Sequence, residues 1–384
     1  MGIISAMTDN ILPKPNLIET TKGLLNLISG LKRQPRVALD TESNSLYAYK
    51  EQVCLIQISI PSADYLLDPL QLSDLSPLKT ILEDKRIEKI LHGAEYDVIC
   101  LKRDFNFHVS NLFDTRLALR TLGEKQTGLG DVLEQEFGVR INKRWQRANW
   151  GQRPLPSELM NYACHDTHFL LPLRDRLAKM LRAGGRWDEA REECEWITEF
   201  KPADNKFHPD QFWKISNAHQ LEPQQAAILK EVFAYRDGQA RRLNRPPFKV
   251  IPNKTLLAIA QVVPGDLDEL CKLPGMTAGQ IRRYGNSLLD AIERGLKTPP
   301  PRRPKSAPLD DLIVMRYKHL RKWRKRTAEE RQVDSDIILP REIVWSIASK
   351  APHTKEELRQ VMKPLVKRFQ MYGNEILQIL RDLP

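Results

Sequence analysis

Two stretches of the second half repeat one another at a fixed distance, and this constrains the fold more than any other feature. Pro252 recurs as Pro340, Ile259-Ala260 as Ile347-Ala348, Pro264 as Pro352, Leu270 as Leu358, and Tyr284-Gly285 as Tyr372-Gly373. Each pair is 88 residues apart, with no gap. The helical stretch Ala226–Ala240 aligns with Val314–Ala328 at the same offset, setting Tyr235-Arg236 on Trp323-Arg324. A constant offset over such a span means two copies of one small helical domain. The first half must then build a core of its own, and 384 residues suffice for two or three domains.

Charge divides in the same place. Residues 1–200 carry 26 Lys+Arg against 28 Asp+Glu, whereas residues 201–384 carry 34 against 21. An acid-balanced half joined to a basic half suggests that chemistry and polyanion binding belong to separate modules, with nucleic acid as the polyanion. At 41% hydrophobic and 28% charged residues, the chain reads as soluble and globular. No apolar run approaches the ~18 residues of a membrane span, so no membrane partner is expected. Met1–Asn10 has neither the basic start nor the apolar core of a signal peptide, and Ala6 stands where an N-terminal acylation signal wants Ser or Thr. Five scattered cysteines without a C-x-x-C pair argue against zinc or a disulfide framework and for a reducing cytoplasm.

The chemistry begins at Val37-Ala38-Leu39-Asp40-Thr41-Glu42. Side chains at i and i+2 of a strand share a face, so Asp40 and Glu42 stand roughly 7 Å apart along it. Carboxylates held so close repel unless a cation lies between them or one takes a proton. Around this run the pattern predicts a helix over 15–32, then strands at Val53–Ile60 and Tyr65–Leu67 completing a three-strand meander. A helix at Ser76–Asp84 follows, then a strand at Lys89–Leu91 running through His92-Gly93-Ala94 into another helix. That order predicts a mixed α/β sheet. Asp97 falls in the first turns of the last helix, where ligand sites of open α/β sheets gather. Asp114 is open to two readings, a site acid or the N-cap of a helix over Thr115–Leu122. In a helix over Pro156–Leu173, Tyr162 and Asp166 are i and i+4 and stack on one face, with His165 turned aside as a flanking residue.

Together these motifs resemble the ribonuclease D group of 3′→5′ exonucleases, the branch with four acids and a tyrosine (DEDDy), over residues 15–180. Asp40-Thr41-Glu42 matches the first motif, His92 to Asp97 the second, and Tyr162 with Asp166 the third. Asp114-Thr115 matches the D-T after the second motif, and Lys143, Trp150, Arg153, Pro154 and Leu155 match the segment before the third, with Asn149 where the family usually has Asp. The resemblance implies an RNase H-like mixed sheet with flanking helices. It implies Asp40, Glu42, Asp97 and Asp166 as ligands of two divalent ions, Mg²⁺ or Mn²⁺, one activating water and one stabilising the leaving 3′ oxygen. Tyr162, whose ordinary pKa is near ~10, would orient the attacking water.

Each helical copy resembles the HRDC domain, an all-α bundle that assists nucleic-acid binding. The expected division is an exonuclease domain over 1–200 and HRDC domains over 207–297 and 306–384. The first copy carries Leu273-Pro274-Gly275-Met276, a turn able to offer N–H groups to phosphate; Lys363 replaces Gly275 in the second. A stiff basic linker, Lys297 to Lys305, joins the two. Candidate RNA contacts are Lys143, Trp150 and Arg153, the pair Arg241 and Arg242, and Arg321, Lys322, Arg324 and Lys325 of the richest basic run. The expected activity is release of nucleoside 5′-monophosphates from RNA 3′ ends, tRNA precursors included. The rivals are a DNA exonuclease on the same fold and a non-catalytic RNA-binding scaffold.

Overall fold

The computed structural model describes residues 12–203, 206–304 and 310–383. Met1–Asn10, the Lys305 end of the linker and the side chain of Lys143 lie outside the described residues. Two compact units divide the chain: Met1–Ser43, Val53–Pro202 and Pro308–Pro384 form one, and Asn44–Gln52 with Ala203–Ala307 the other.

The first unit is built on a six-stranded mixed sheet. Its elements are β1 (Asn16–Ile18), α1 (Thr21–Leu31), β2 (Arg36–Ser43), β3 (Val53–Ile60), β4 (Ala63–Leu67), α2 (Ser76–Leu82), β5 (Glu88–Leu91), α3 (Glu95–Phe105), β6 (Leu112–Asp114), α4 (Thr115–Leu122), α5 (Leu129–Phe137), α6 (Ser157–His168), α7 (Leu170–Ala183) and α8 (Trp187–Thr198). The strands lie in the order β1-β4-β3-β2-β5-β6. The expected meander is present, with β3 antiparallel to both β2 and β4. On the other side β5 runs parallel to β2, and β6 parallel to β5. Both faces of β2 are covered. Val37 and Leu39 pack with α1, α2 and α3, while Ala38 packs with α4 and α7.

Two expected helices differ. The one expected over 15–32 starts only at Thr21, because Asn16–Ile18 pairs in parallel with Tyr65–Leu67 as an edge strand. The one expected over 156–173 breaks at Phe169 into α6 and α7. Pro172 is the reason: lacking an N–H, it cannot bond the His168 carbonyl and carry the first helix onward. β6, three residues long, is too short to announce itself in sequence.

The helical repeat is exact in register. In the second unit α9 (Pro223–Arg242), α10 (Pro247–Val250), α11 (Asn253–Val262), α12 (Leu267–Cys271) and α13 (Ala278–Lys297) form the first copy. In the first unit α14 (Asp311–Arg331), α15 (Ser335–Ile338), α16 (Arg341–Lys350), α17 (Lys355–Val361) and α18 (Val366–Arg381) form the second. Each begins 88 residues after its counterpart. The left-handed residues repeat as well, Asn244 with Gln332 and Val263 with Ala351. The turn at Gly275 does not. Gly275 has φ +88° and a Cβ there would run into Thr255 Oγ1, whereas Lys363 is not among the described residues with positive φ.

Candidate active site

Strand alternation sorts the acids. Asp40 and Glu42 extend from β2 on the side of Ala38, and Asp166 reaches them from α6, which lies against β2, β3 and β4. One carboxylate oxygen from each of Asp40, Glu42 and Asp166 lies within 4.8 Å of the others. Among the described residues this is the one such cluster. Hard oxygen donors in a partly buried site fit a divalent cation of the Mg²⁺ or Mn²⁺ kind.

Asp97 lies beside those three, outside the 4.8 Å cluster but near enough to be the leading charge acting on Asp40 and Asp166. Thr41 faces the opposite side of β2, towards α3, and there Asp97 Oδ1 accepts hydrogen bonds from the Thr41 backbone N–H (3.1 Å) and the Thr41 hydroxyl (2.5 Å). The fourth acid is therefore tied to the residue between the first two. Its charge still reaches them, raising the proton affinity of Asp40, Glu42 and Asp166.

Burial shapes the electrostatics. Asp40 is held well above the usual carboxylate range, first by burial and then by Asp97, Asp166 and Glu42. Glu42 is raised by burial and then by Asp166 and Asp97. Burial followed by Asp97 pushes Asp166 up to about 8. Asp97 reaches about 6, burial being opposed by its Thr41 bonds. Such crowding of acids is the signature of a site that a cation would relax.

Tyr162 lies 7% exposed on α6, its ring 6.1 Å from that of Trp150. Burial and then the charges of Asp166, Glu42 and Asp40 hold its phenol above the ordinary tyrosine range, so it stays protonated and can only donate or orient. His165 is indeed turned away, its Nδ1 on the Asn161 carbonyl oxygen at 2.8 Å. Asp114 is the N-cap of α4, accepting from Arg116 (2.9 Å) and Leu117 (3.1 Å). The same carboxylate accepts the N–H groups of Gly93 (2.9 Å) and Ala94 (2.7 Å), which fixes the turn that launches α3.

Two expected RNA contacts, Trp150 and Arg153, are engaged within the protein, and Arg324, half-buried, is engaged there in part. Trp150 is 1% exposed and supports Tyr162 from below, an indole that water and RNA cannot reach. The Arg153 guanidinium is saturated: it donates to Asp68 (2.5 and 2.7 Å) and to the Cys54 (2.7 Å), Trp150 (2.8 Å) and Gln152 (2.7 Å) carbonyls. Arg324 Nη1 donates to the Leu339 carbonyl at 2.9 Å, as Arg236 does to Ile251 at 3.0 Å one repeat earlier. Of the others, Arg241 pairs with Asp237 (3.3 Å) and Arg242 with Gln239 (2.7 Å). Lys325 pairs with Glu329 at 3.7 Å, while Arg321 and Lys322 are exposed.

Residues missed in the sequence include Thr41, Gln57 and a buried polar chain behind α6. Gln57 faces Asp40 across the β2–β3 pair, its Nε2 3.5 Å from Asp40 Oδ2. The Ser59 hydroxyl donates to Asp64 Oδ1 (2.5 Å) and meets Thr167 (2.7 Å), and His168 holds Asp64 Oδ2 (2.8 Å). This chain anchors the helix that delivers Tyr162 and Asp166. The signal available was two polar residues, Gln57 and Ser59, inside the otherwise apolar strand β3.

Comparison with known proteins agrees with the geometry. Residues 15–182 match the 3′-5′ exonuclease family model, and residues 225–292 and 314–380 each match the HRDC domain. Ribonuclease D of Cronobacter turicensis is 28% identical over 332 residues, covering 85% of this chain and 89% of that one. The crystal structure of Escherichia coli RNase D aligns with a TM-score of 0.69 at 25% identity, covering 96% of this chain and 99% of the other. Protein RRP6-like 2 of Arabidopsis thaliana is 31% identical over 293 residues, 73% of this chain but 34% of that protein. The chain spans less than half the length of the Arabidopsis and yeast relatives it matches. The chain therefore carries a 3′-5′ exonuclease domain followed by two HRDC domains, and is similar to ribonuclease D along nearly its whole length.

Proposed function

We propose that the chain shortens RNA one nucleotide at a time from a free 3′ end, releasing nucleoside 5′-monophosphates, with tRNA precursors among its substrates. The observation that carries this reading is the convergence of Asp40, Glu42 and Asp166 within 4.8 Å beside a buried, protonated Tyr162. In this reading Asp40, Glu42 and Asp166, joined by Asp97, hold two divalent ions, Mg²⁺ or Mn²⁺. Bound there, the ions supply Lewis-acid activation of water and charge stabilisation at the leaving 3′ oxygen. The chain's own groups position the reaction. Tyr162 orients the attacking water with its O–H, Trp150 keeps the phenol in place, and Thr41 holds Asp97 to the strand. Lys143, whose side chain lies outside the described residues, and the exposed cations Arg241, Arg242, Arg321, Lys322 and Lys325 are the proposed phosphate contacts.

Similarity to Escherichia coli RNase D, an exoribonuclease involved in structured RNA processing, supports the RNA assignment. We keep 1–200 for catalysis and 207–297 and 306–384 for holding substrate. We place the work in the cytoplasm, since five scattered cysteines without a C-x-x-C pair suit a reducing compartment. Among the described residues, no helix is long and apolar enough to cross a membrane. The test is a time course on a 5′-labelled RNA with a tRNA-like stem and a free 3′ tail, run beside the matching DNA. A ladder receding from the 3′ end of the RNA, dependent on added Mg²⁺ or Mn²⁺, is expected; equal activity in chelator would refute the mechanism, and preference for DNA the substrate.

A further inference from the structure

The two helical copies share a fold but not a surface. The 88-residue offset sets Tyr317 on Leu229, Arg321 on Phe233 and Trp345 on Leu257. In the first copy, the preceding chain closes over that face of α9. Phe207 stacks on Phe233 with ring centroids 5.5 Å apart, Phe212 and Leu229 are both 0% exposed, and Lys230 is paired with Asp210 at 2.8 Å. No described residue closes over the matching face of the second copy in this way. There Trp345 remains 37% exposed, and Tyr317 meets it edge-on with centroids 5.2 Å apart.

Cations surround this aromatic pair. Arg321 lies one turn beyond Tyr317 on α14, Lys322 follows it, and Arg341 lies one turn before Trp345 on α16. All three are exposed, and none has an ion-pair partner among the described residues. By contrast, Lys325 and Arg326, further along the same helix, are paired with Glu329 and Glu330. An indole open to solvent between unneutralised cations matches the chemistry of a single nucleic-acid strand, whose bases stack and whose phosphates carry the opposite charge.

We propose that the face formed by Tyr317 and Trp345 is a binding subsite for single-stranded RNA, with a base stacked on Trp345 and the adjoining phosphates on Arg321, Lys322 and Arg341. The first copy lacks this subsite because its own chain fills the place. The inference rests on the reading of the protein as an RNA exonuclease, and assigns the second HRDC copy a grip on the strand outside the acidic centre.

The test uses the full chain and a 5′-fluorescein oligo(U) 20-mer, with binding read by anisotropy in chelator so that the RNA survives. Trp345→Ala should weaken binding by about 10-fold, and Trp345→Phe should retain most of the affinity, because a phenyl ring still stacks. The double variant Arg321→Glu/Arg341→Glu should reduce the slope of log affinity against log salt by about 1.4, near 0.7 per phosphate contact on a single strand. Cleavage of a trinucleotide, too short to span both sites, should stay at the wild-type rate in the two Trp345 variants. The proposal is overturned if Trp345→Ala binds the 20-mer as tightly as wild type, or if trinucleotide cleavage falls in parallel with binding. It is also overturned if the alanine variant loses self-association in sedimentation while keeping its RNA affinity, for the face would then be a protein interface. Failure of the wild-type chain to bind or degrade any RNA would instead strike the parent reading.

Discussion

Thr41 shows how one residue can serve two sides of a strand. Its neighbours Asp40 and Glu42 belong to the acidic cluster, while its own N–H and hydroxyl fix Asp97 beside that cluster. Thr41→Val removes the hydroxyl and keeps the shape, so metal affinity should fall about 10- to 100-fold, the range for groups that orient a ligand. Thr41→Ser should restore it, as read by Mg²⁺ titration of activity and by calorimetry. Asp40→Asn and Asp166→Asn should abolish cleavage of labelled RNA yet bind it in a filter assay; loss of binding in step with activity would contradict the separation of the two roles. The same acids set a pH dependence. Asp97 at about 6 and Asp166 at about 8 retain protons that the unfolded chain has released by about pH 4. Between those limits the folded state binds more protons, so the stability of the metal-free protein should decline as pH rises from about 4 to 8. A divalent ion held by these acids would take the place of those protons. Its effect on the melting temperature should be larger at pH 8 than at pH 5.5, and equal shifts at both would refute the assignment.

Asp114 acts at the scale of the element. It caps α4 and anchors the turn before α3, receiving four N–H groups in all. Asp114→Ala should cost about 2–4 kcal/mol, a cap of ~1 plus the desolvation of buried N–H groups left unpaired. Urea denaturation measures it, and a loss under ~0.5 kcal/mol, the ordinary range for a featureless surface site, would show that water replaces the carboxylate. This residue also marks what the sequence could reveal. Its N-cap role was legible because the residues it caps follow it directly; its hold on Gly93 and Ala94 was not, because it depends on β5 and β6 lying side by side. The meander, the acids on β2, the Tyr162–Asp166 pairing and the helical repeat were legible for the same reason, since each is a periodicity or a short spacing. β1 was not: Asn16–Ile18 is a strand only because Tyr65–Leu67 offers an edge. Trp150 and Arg153 misled because an aromatic and a cation near a motif look alike whether they face RNA or the core. Only the three-dimensional surroundings, the Tyr162 ring for one and the Asp68 carboxylate for the other, separate the cases.

Across the whole molecule, the two copies of one helical domain have come to differ in what surrounds them. The second belongs to the same compact unit as the sheet, and charge ties it to α4 and α8. Arg331 makes a bidentate pair with Glu189 (2.8 Å to each oxygen), and Arg120 reaches Asp334 (3.1 Å) and Asp336 (2.6 Å). At the centre Arg368, 0% exposed, holds Glu192 at 2.9 Å and Glu193 at 2.6 Å, and donates to the Ile337 carbonyl at 2.9 Å. Burial still pushes Glu193 up to about 7 against the pull of Arg368, which shows how dearly those carboxylates depend on their cation. Removing only the cation strands two buried acids, so Arg368→Ala should destabilise this unit by about 3–5 kcal/mol. A buried ion pair is seldom better than an apolar replacement of similar volume. Arg368→Met combined with Glu192→Gln and Glu193→Gln should therefore recover most of the loss. Chemical denaturation of the three chains, followed by the signal of Trp187 and Trp196 on α8, decides the matter. If the alanine variant is as stable as wild type, the second copy is not fastened through this cluster; if the triple variant is as weak as the single one, packing rather than charge holds it.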